Sequence, residues 1–274
     1  MNTTNLNRLK KWFSNYVVGY YSDDSDYNRA IRLKEDHTRR VCENIIRLCT
    51  DLRISDYNMR LAEAMALLHD VGRFEQYAVY RTFNDRTSEN HAKLGLRQIS
   101  SHNVLDGCTK RSRRFITRSI AYHNAAKLPE AEDEETLFFM RLLRDADKLD
   151  IWNVFIDYYR ERENYQNTTI ELDLPDDPGY SQKILDAFHT QSFALIQDLK
   201  TLNDFKLLQI SWVFDLNFVP SFQAVHRRKY INQIEATLPQ SKEITEAVKQ
   251  AYHYVENHLL NPGILDIPRF QTTD

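Results

Sequence analysis

The chain has 274 residues, of which 42% are hydrophobic, so it is long and apolar enough to build a substantial core. Its 36 basic and 39 acidic side chains nearly cancel, which gives no general electrostatic argument for binding nucleic acid. No stretch reaches the roughly 18 apolar residues that a membrane span needs. We therefore expect a cytoplasmic protein without membrane or nucleic-acid partners.

The scarcity of chain-breaking residues predicts long helices. The chain contains 6 glycines and 7 prolines, and most of its segments repeat apolar residues with the helical period. The first such segment is DHTRRVCENIIRLC, in which Asp36 is a candidate cap or first-turn residue. His37 lies on the apolar stripe of this helix, so we expect it to face inward.

A second helix is predicted at about 58–71, because apolar residues recur there with helical spacing. His69 and Asp70 lie on its last turn, and Gly72 is in a suitable position to end it. The following segment, at about 74–90, has no clear period and is predicted to be a loop, with a short helical turn as a further option. A loop in this position would form a lid beside the His-Asp pair.

Three further helices each carry one ionisable residue on the apolar face. The first is predicted to start near Ser88 or Glu89, with His91 facing inward. The second is predicted at about 112–126 with His123 facing inward, and the third at about 134–159 with Asp147 facing inward. Five helices would then direct imidazoles and carboxylates into one interior.

A segment rich in chain breakers, NTTIELDLPDDPGYSQ, divides the chain. We predict a metal-binding helical core at 1–165 and a C-terminal helical extension at 166–274, packed on the core as one structural unit. The extension is predicted to contain four helices, at about 181–199, 204–218, 221–238 and 241–260. The predicted fold class is all-α.

The inward-facing residues predict a metal site. Burying so many ionisable groups without compensation would cost several kcal/mol for each unpaired ion, and a bound cation provides that compensation. Four imidazoles and two carboxylates suit one or two divalent ions such as Mn, Fe, Co, Ni or Zn. The candidate ligands are His37, His69, Asp70, His91, His123 and Asp147.

The order of these residues resembles the signature of the HD-domain superfamily of metal-dependent phosphohydrolases. The resemblance lies in His37 of KEDHTRRV, the His69-Asp70 pair of LLHDVGRF, and Asp147 of RDADKLD, and it covers roughly residues 30–155. It implies an all-helical HD-domain bundle, here extended by the C-terminal helices.

The resemblance also implies that His37, His69, Asp70 and Asp147 bind one metal ion. Asp145 competes with Asp147 for the last place, and residues two apart on a helix point in nearly opposite directions. We choose Asp147, which precedes a basic residue as in the family and lies on the more apolar stripe. Subsets of the superfamily have two further histidines, so His91 and His123 either bind a second ion bridged by Asp70 or line the substrate cavity.

Several polar residues near these motifs are candidate substrate contacts. Lys148 resembles a residue that contacts phosphate in nucleotide-cleaving relatives, and Arg73 replaces the lysine that many relatives have after HD-x-G. With Asp70 they form the predicted catalytic set. Lys148, Arg81, Arg86 and Asn124 are the predicted substrate-binding residues. The chain has no GYP motif, which argues against the cyclic-di-nucleotide phosphodiesterase branch.

The predicted function is hydrolysis of a phosphomonoester or phosphodiester, with a nucleotide among the candidates, through a metal-activated hydroxide. One alternative is a di-iron oxygenase of the myo-inositol oxygenase kind, which uses the same ligand set on an HD fold. The other is a sensor that binds a metal or nucleotide without turnover. The expected partner is a small phosphate-containing molecule, and a homo-oligomer is compatible with the sequence.

Overall fold

A computed structural model describes residues 1–164, 166 and 170–261, and the described chain is helical without a β-strand. The all-α prediction is therefore confirmed. The chain divides into two compact units, and the boundary between them lies between Asp150 and Ile151. The division of the sequence at residue 165 and the packing of both parts as one structural unit stay predictions.

The described residues of the first unit form six helices and the first part of a seventh. They are α1 (Thr3–Val18), α2 (Ser25–Asp51), α3 (Asp56–Leu68), α4 (Gly72–Tyr80), α5 (His91–Ser101), α6 (Lys110–Tyr122) and α7 (Glu134–Glu161), the last of which continues into the second unit. The central helix is α3, which packs against α1, α2 and α6. Every residue from Leu61 to Leu68 is buried, so α3 has no solvated face at its end.

Helix α2 begins well before Asp36, so the prediction that Asp36 caps or starts this helix is wrong. Its N-cap is Asp24, whose side chain accepts hydrogen bonds from the backbone N–H groups of Asp26 and Tyr27. Before His37, the buried residues of α2 are Tyr27 and Ile31, and most of the residues around them are polar. The sparse apolar spacing explains why the sequence pattern begins late.

The prediction that Gly72 ends a helix is also wrong, because Gly72 begins α4. Helix α3 ends at Leu68, and much of the segment predicted as a loop is helical. A Cβ atom on Gly72 would lie 2.1 Å from the backbone oxygen of His91 and 2.5 Å from the backbone nitrogen of Gly95. Gly72 is therefore required for the close approach of α4 to α5.

In the second unit, the residues that the structure describes form the end of α7 and five further α-helices. They are α8 (Gln182–His189), α9 (Leu202–Ser211), α10 (Val219–Arg228), α11 (Tyr230–Glu235) and α12 (Lys242–Leu260), with short 3-10 turns at Ile196–Asp198 and Trp212–Asp215. Helix α9 is completely buried, and the indole N–H of Trp152 donates to the backbone oxygen of Gln209 at 3.0 Å.

Three of the four helices predicted in this unit are shorter than expected. The helix at 181–199 ends at His189, and the one at 204–218 ends as an α-helix at Ser211. The helix at 221–238 is broken at Lys229, which has a left-handed backbone with φ of 54°. Among the described residues, no helix combines the length and the apolar character needed to cross a membrane.

Candidate metal centre

All six predicted metal ligands converge in the first unit. His37 lies on α2, His91 is the first residue of α5, and Asp147 lies on α7. His69 and Asp70 follow α3 directly, and His123 follows α6. Five of the six are buried, and the Asp147 side chain is 13% exposed. Helix ends and helix faces from across the unit thus supply one cluster.

The four imidazoles share one orientation. The Nδ1 atom of each ring lies 2.7 Å from an oxygen that can only accept a hydrogen bond. This oxygen belongs either to an aspartate carboxylate or to a backbone carbonyl. The pairs are His37 with Asp150, His69 with the oxygen of Ala66, His91 with Asp85, and His123 with the oxygen of Ile120. Each Nδ1 therefore carries a ring proton and each Nε2 faces the interior, where a ring in its neutral form offers a lone pair.

One half of the cluster consists of His37, His69 and Asp147 around one oxygen of Asp70. His37 Nε2 lies 3.1 Å from Asp147 Oδ1 and 3.6 Å from Asp70 Oδ2. His69 Nε2 lies 3.6 Å from Asp147 Oδ1 and 3.8 Å from Asp70 Oδ2. The His69 Nε2 and Asp147 Oδ1 atoms are buried without a hydrogen-bond partner. A positive charge between these two orphaned acceptors would compensate for the missing hydrogen bonds.

The other half consists of His91 and His123 around the second oxygen of Asp70. Their Nε2 atoms lie 3.4 Å and 3.8 Å from Asp70 Oδ1, and 2.9 Å from each other. Since both rings donate from Nδ1, two lone pairs face each other at hydrogen-bond distance. This half could also hold a cation. Asp70 has one carboxylate oxygen in each half.

The donor atoms fit a divalent cation. Three groups of three residues have donor atoms within 4.8 Å of one another, namely His37 with His69 and Asp70, His69 with His123 and Asp147, and Asp70 with His91 and His123. Neutral imidazole nitrogens and carboxylate oxygens are ligands that first-row divalent metals accept. The chemistry of the donor set does not identify one metal among them.

The protonation equilibria reflect the same demand for positive charge. Burial would raise the pKa of Asp70 and of Asp147, but Lys34 and His69 beside Asp70, and His37 and His69 beside Asp147, hold both pKa values well below their usual range. Burial would lower the pKa of His37, but hydrogen bonds to Asp147 and Asp150 raise it to about 9. The two carboxylates are therefore ionised.

Asp147 is the aspartate of α7 whose carboxylate faces the imidazoles. Asp145 is completely buried, whereas the Asp147 side chain is partly exposed, so the argument that Asp147 lies on the more apolar stripe is wrong. The preference for Asp147 rests instead on its contacts with His37 and His69.

Two carboxylates that the sequence analysis did not select hold the rings in place. Asp150 accepts from His37 and from Arg40, whose Nε lies 2.6 Å from Asp150 Oδ1. Asp85 accepts from His91, and Arg73 Nη1 lies 2.9 Å from Asp85 Oδ1. Each half of the cluster thus has one His-Asp-Arg chain. The position of Asp150, one turn after Asp147 on the same helix, is the sequence signal that could have indicated it.

Lys34 is a further residue that the sequence analysis missed. It precedes His37 by one turn of α2, and its Nζ lies 3.0 Å from Asp70 Oδ2. Its side chain is 18% exposed, whereas that of Asp70 is 3% exposed. A basic residue three positions before a metal-binding histidine is the available signal, because it shares the histidine's helix face.

The predicted catalytic and substrate residues occupy different environments. Arg73 is paired with Asp85 and also contacts Asp70, with 3.5 Å between Arg73 Nε and Asp70 Oδ1. Lys148 is nearly buried on α7. The remaining three are exposed: Arg81 stacks on the Tyr27 ring, Arg86 lies in the loop after α4, and Asn124 donates to Asp85. Their roles in binding substrate stay predictions.

The comparisons with known proteins agree with this geometry. The family model of the HD domain matches residues 35–152, a range that includes all six candidate ligands. The searches of curated proteins and of solved structures gave no match. HD domains are typical of metal-dependent hydrolases, and the match identifies residues 35–152 of this chain as an HD domain.

Proposed function

We propose that the protein is a metal-dependent phosphohydrolase that cleaves a phosphomonoester or phosphodiester, with nucleotides among the candidate substrates. The observation that carries this proposal is the convergence of four imidazole Nε2 atoms on the two carboxylates, while each Nδ1 is committed to an outer acceptor. Such a set is unfavourable in an apolar core, because it brings the lone pairs of imidazole nitrogens and carboxylate oxygens close together.

The two halves of the cluster suggest two ions. His37, His69, Asp70 and Asp147 would hold one ion, and Asp70, His91 and His123 would hold the other. In this assignment Asp70 bridges, because Oδ2 lies nearer the first pair of imidazoles and Oδ1 nearer the second. The alternative, in which His91 and His123 contact substrate without binding metal, is distinguished by metal stoichiometry.

When bound, divalent ions lower the pKa of coordinated water and offset negative charge on a phosphoryl group. The chain's own residues prepare this site. Asp150 and Asp85 fix two rings with Nε2 inward and are themselves held by Arg40 and Arg73. Because Arg73 forms an ion pair with Asp85, we assign it the role of orienting Asp85 and, through Asp85, the His91 ring.

Substrate contacts are proposed for the residues around the cluster. Lys148 follows Asp147 and would contact the phosphoryl group. Asn124 lies beside the second half through its contact with Asp85, and it would orient the substrate there. Arg81 and Arg86 are exposed and would bind more distant anionic parts of the substrate.

The test is metal analysis of protein purified without chelator, combined with an activity screen over nucleotides and simple phosphate esters under several divalent metals. We expect close to two first-row metal ions per chain and release of phosphate or of a nucleoside monophosphate. Asp70→Ala should lose both metal and turnover, while the control Asp51→Ala, which changes an exposed aspartate at the end of α2, should keep both. Full activity in Asp70→Ala would exclude the proposed site.

The same screen separates the two alternative functions. Hydrolysis that persists under anaerobic conditions argues against a di-iron oxygenase, since dioxygen is that enzyme's co-substrate. A metal-loaded protein that binds nucleotides and hydrolyses none of the esters would be a sensor. The first outcome would support the phosphohydrolase proposal, and the second would contradict it.

A further inference from the structure

Lys34 places a positive charge at the opening of the metal cluster. Its Nζ lies 3.0 Å from Asp70 Oδ2, the oxygen that faces the first half, and its side chain is more exposed than the Asp70 carboxylate. The ammonium also lies 5.3 Å from the centre of the Phe83 ring. Lys34 therefore lies between the buried carboxylate and solvent, on the side where the loop after α4 passes.

Two other cations near the cluster are already paired with carboxylates. Arg40 is paired with Asp150 and Arg73 with Asp85. Within the part of the chain that the structure describes, the carboxylate paired with Lys34 is that of Asp70. Asp70 is also the carboxylate that a bound cation would engage. Metal binding would thus compete with Lys34 for the same oxygen and leave its charge available.

A charge count shows what this excess would do. Two divalent ions carry four positive charges against the two negative charges of Asp70 and Asp147, because the four imidazoles are neutral as ligands. The loaded centre would then be positive, and Lys34 would add one more positive charge at its edge. An ammonium beside a buried, partly dehydrated site attracts an anion more strongly than one in open solvent.

We propose that Lys34 binds the phosphoryl group of the substrate at the edge of the metal centre and makes the site selective for phosphate-containing anions. This inference rests on the proposed phosphohydrolase function. The alternative is that Lys34 serves only as a counter-ion to buried Asp70, which would give it a role in stability and none in ligand binding.

The experiment compares three variants loaded with Mn²⁺. Lys34→Met removes the charge and keeps a long unbranched side chain that can pack near Phe83. Lys34→Arg keeps the charge, and Lys11→Met removes an exposed lysine of α1 as a matched control. Inorganic phosphate is the probe, its affinity is measured by isothermal titration calorimetry, and bound metal is measured by elemental analysis of the same samples.

We expect Lys34→Met to bind phosphate about tenfold or more weakly with unchanged metal content, as the loss of one charge-assisted hydrogen bond predicts. Lys34→Arg should recover most of the affinity, and Lys11→Met should match the wild type. If Lys34→Met does not fold, Lys34→Gln is measured in the same way.

Several results would overturn the proposal. Wild-type phosphate affinity in Lys34→Met would show that Lys34 is only a counter-ion, and loss of metal would show that it supports the metal site. If the wild-type protein hydrolyses phosphate esters and binds phosphate while Lys34→Met is unaffected, only the Lys34 inference fails. If the loaded wild type neither binds phosphate nor hydrolyses esters, the proposed function fails with it.

Discussion

The Nε2 atoms of His91 and His123 lie 2.9 Å apart, although each ring is oriented to donate its Nδ1 hydrogen to a different acceptor. Two neutral imidazoles in this arrangement repel each other, so a proton or a metal ion must lie between them and Asp70. Burial and the Arg73 charge lower the pKa of His91 to about 3, although the hydrogen bond to Asp85 opposes this shift. A proton between the two rings is therefore disfavoured. A metal ion is the better partner for this half.

The first prediction concerns metal stoichiometry. His123→Ala should reduce the bound metal from about two ions to about one, because it removes a ligand of the second half and leaves the first half intact. Elemental analysis after purification without chelator gives the ratio. As a control, His102→Ala changes an exposed histidine just after α5 and should not change the ratio. If His123→Ala keeps two ions, His123 is not a metal ligand and lines the substrate cavity instead.

The second prediction separates the two aspartates of α7. Asp147→Asn should lower metal affinity strongly, since the carboxylate that contacts His37 and His69 loses its charge. Asp145→Asn should keep the metal and lower the free energy of unfolding by about 1–3 kcal/mol, because the changed group is fully buried. Metal titration and denaturant unfolding give the two quantities. The reverse pattern would make Asp145 the ligand.

The third prediction concerns the outer carboxylates. Asp85→Asn and Asp150→Asn should each weaken metal binding by about 10–100-fold, because an amide orients the imidazole less firmly and makes it less basic. The two changes act on different halves, so Asp85→Asn should affect the second ion and Asp150→Asn the first. Stepwise chelator competition resolves the two affinities. Equal weakening of both ions by either variant would contradict the separate His-Asp-Arg chains.

The sequence predicts the ligand set better than it predicts the residues that support it. The histidines and Asp147 are indicated because each interrupts an apolar stripe, a pattern that local periodicity reveals. Asp85 and Lys34 could not be chosen in this way, since their importance comes from atoms brought together by tertiary packing. Helix limits failed for the same reason: Gly72 looks like a terminator in sequence, and only the position of α5 shows that it is needed for close packing.

The fourth prediction concerns the pH dependence of stability. Burial raises the pKa of Cys49 to about 12 from an ordinary value of 9.0. The unfolded chain therefore loses this thiol proton first, and the free energy of unfolding should fall as the pH rises above about 9. Below pH 9 this contribution is constant. Denaturant unfolding between pH 8 and pH 10.5 measures it, with Cys49→Ala as the variant in which the slope is smaller, because Cys42 keeps its own contribution. An identical slope in both proteins would contradict the prediction.

The last prediction links a glycine to the second half of the metal centre. Gly72→Ala adds a Cβ atom at a point 2.1 Å from the backbone oxygen of His91, so α5 must shift away from α4. Because His91 is the first residue of α5, its Nε2 would move relative to Asp70 and His123. We expect a destabilised protein that loses the second ion before the first, as measured by thermal unfolding and stepwise metal titration. Gly19→Ala is the matched control, since its Cβ would meet Tyr16 at 3.3 Å and is remote from the cluster's ligands in sequence. If Gly72→Ala is destabilised and still binds both ions with wild-type affinity, the close contact between α4 and α5 supports the fold without positioning His91.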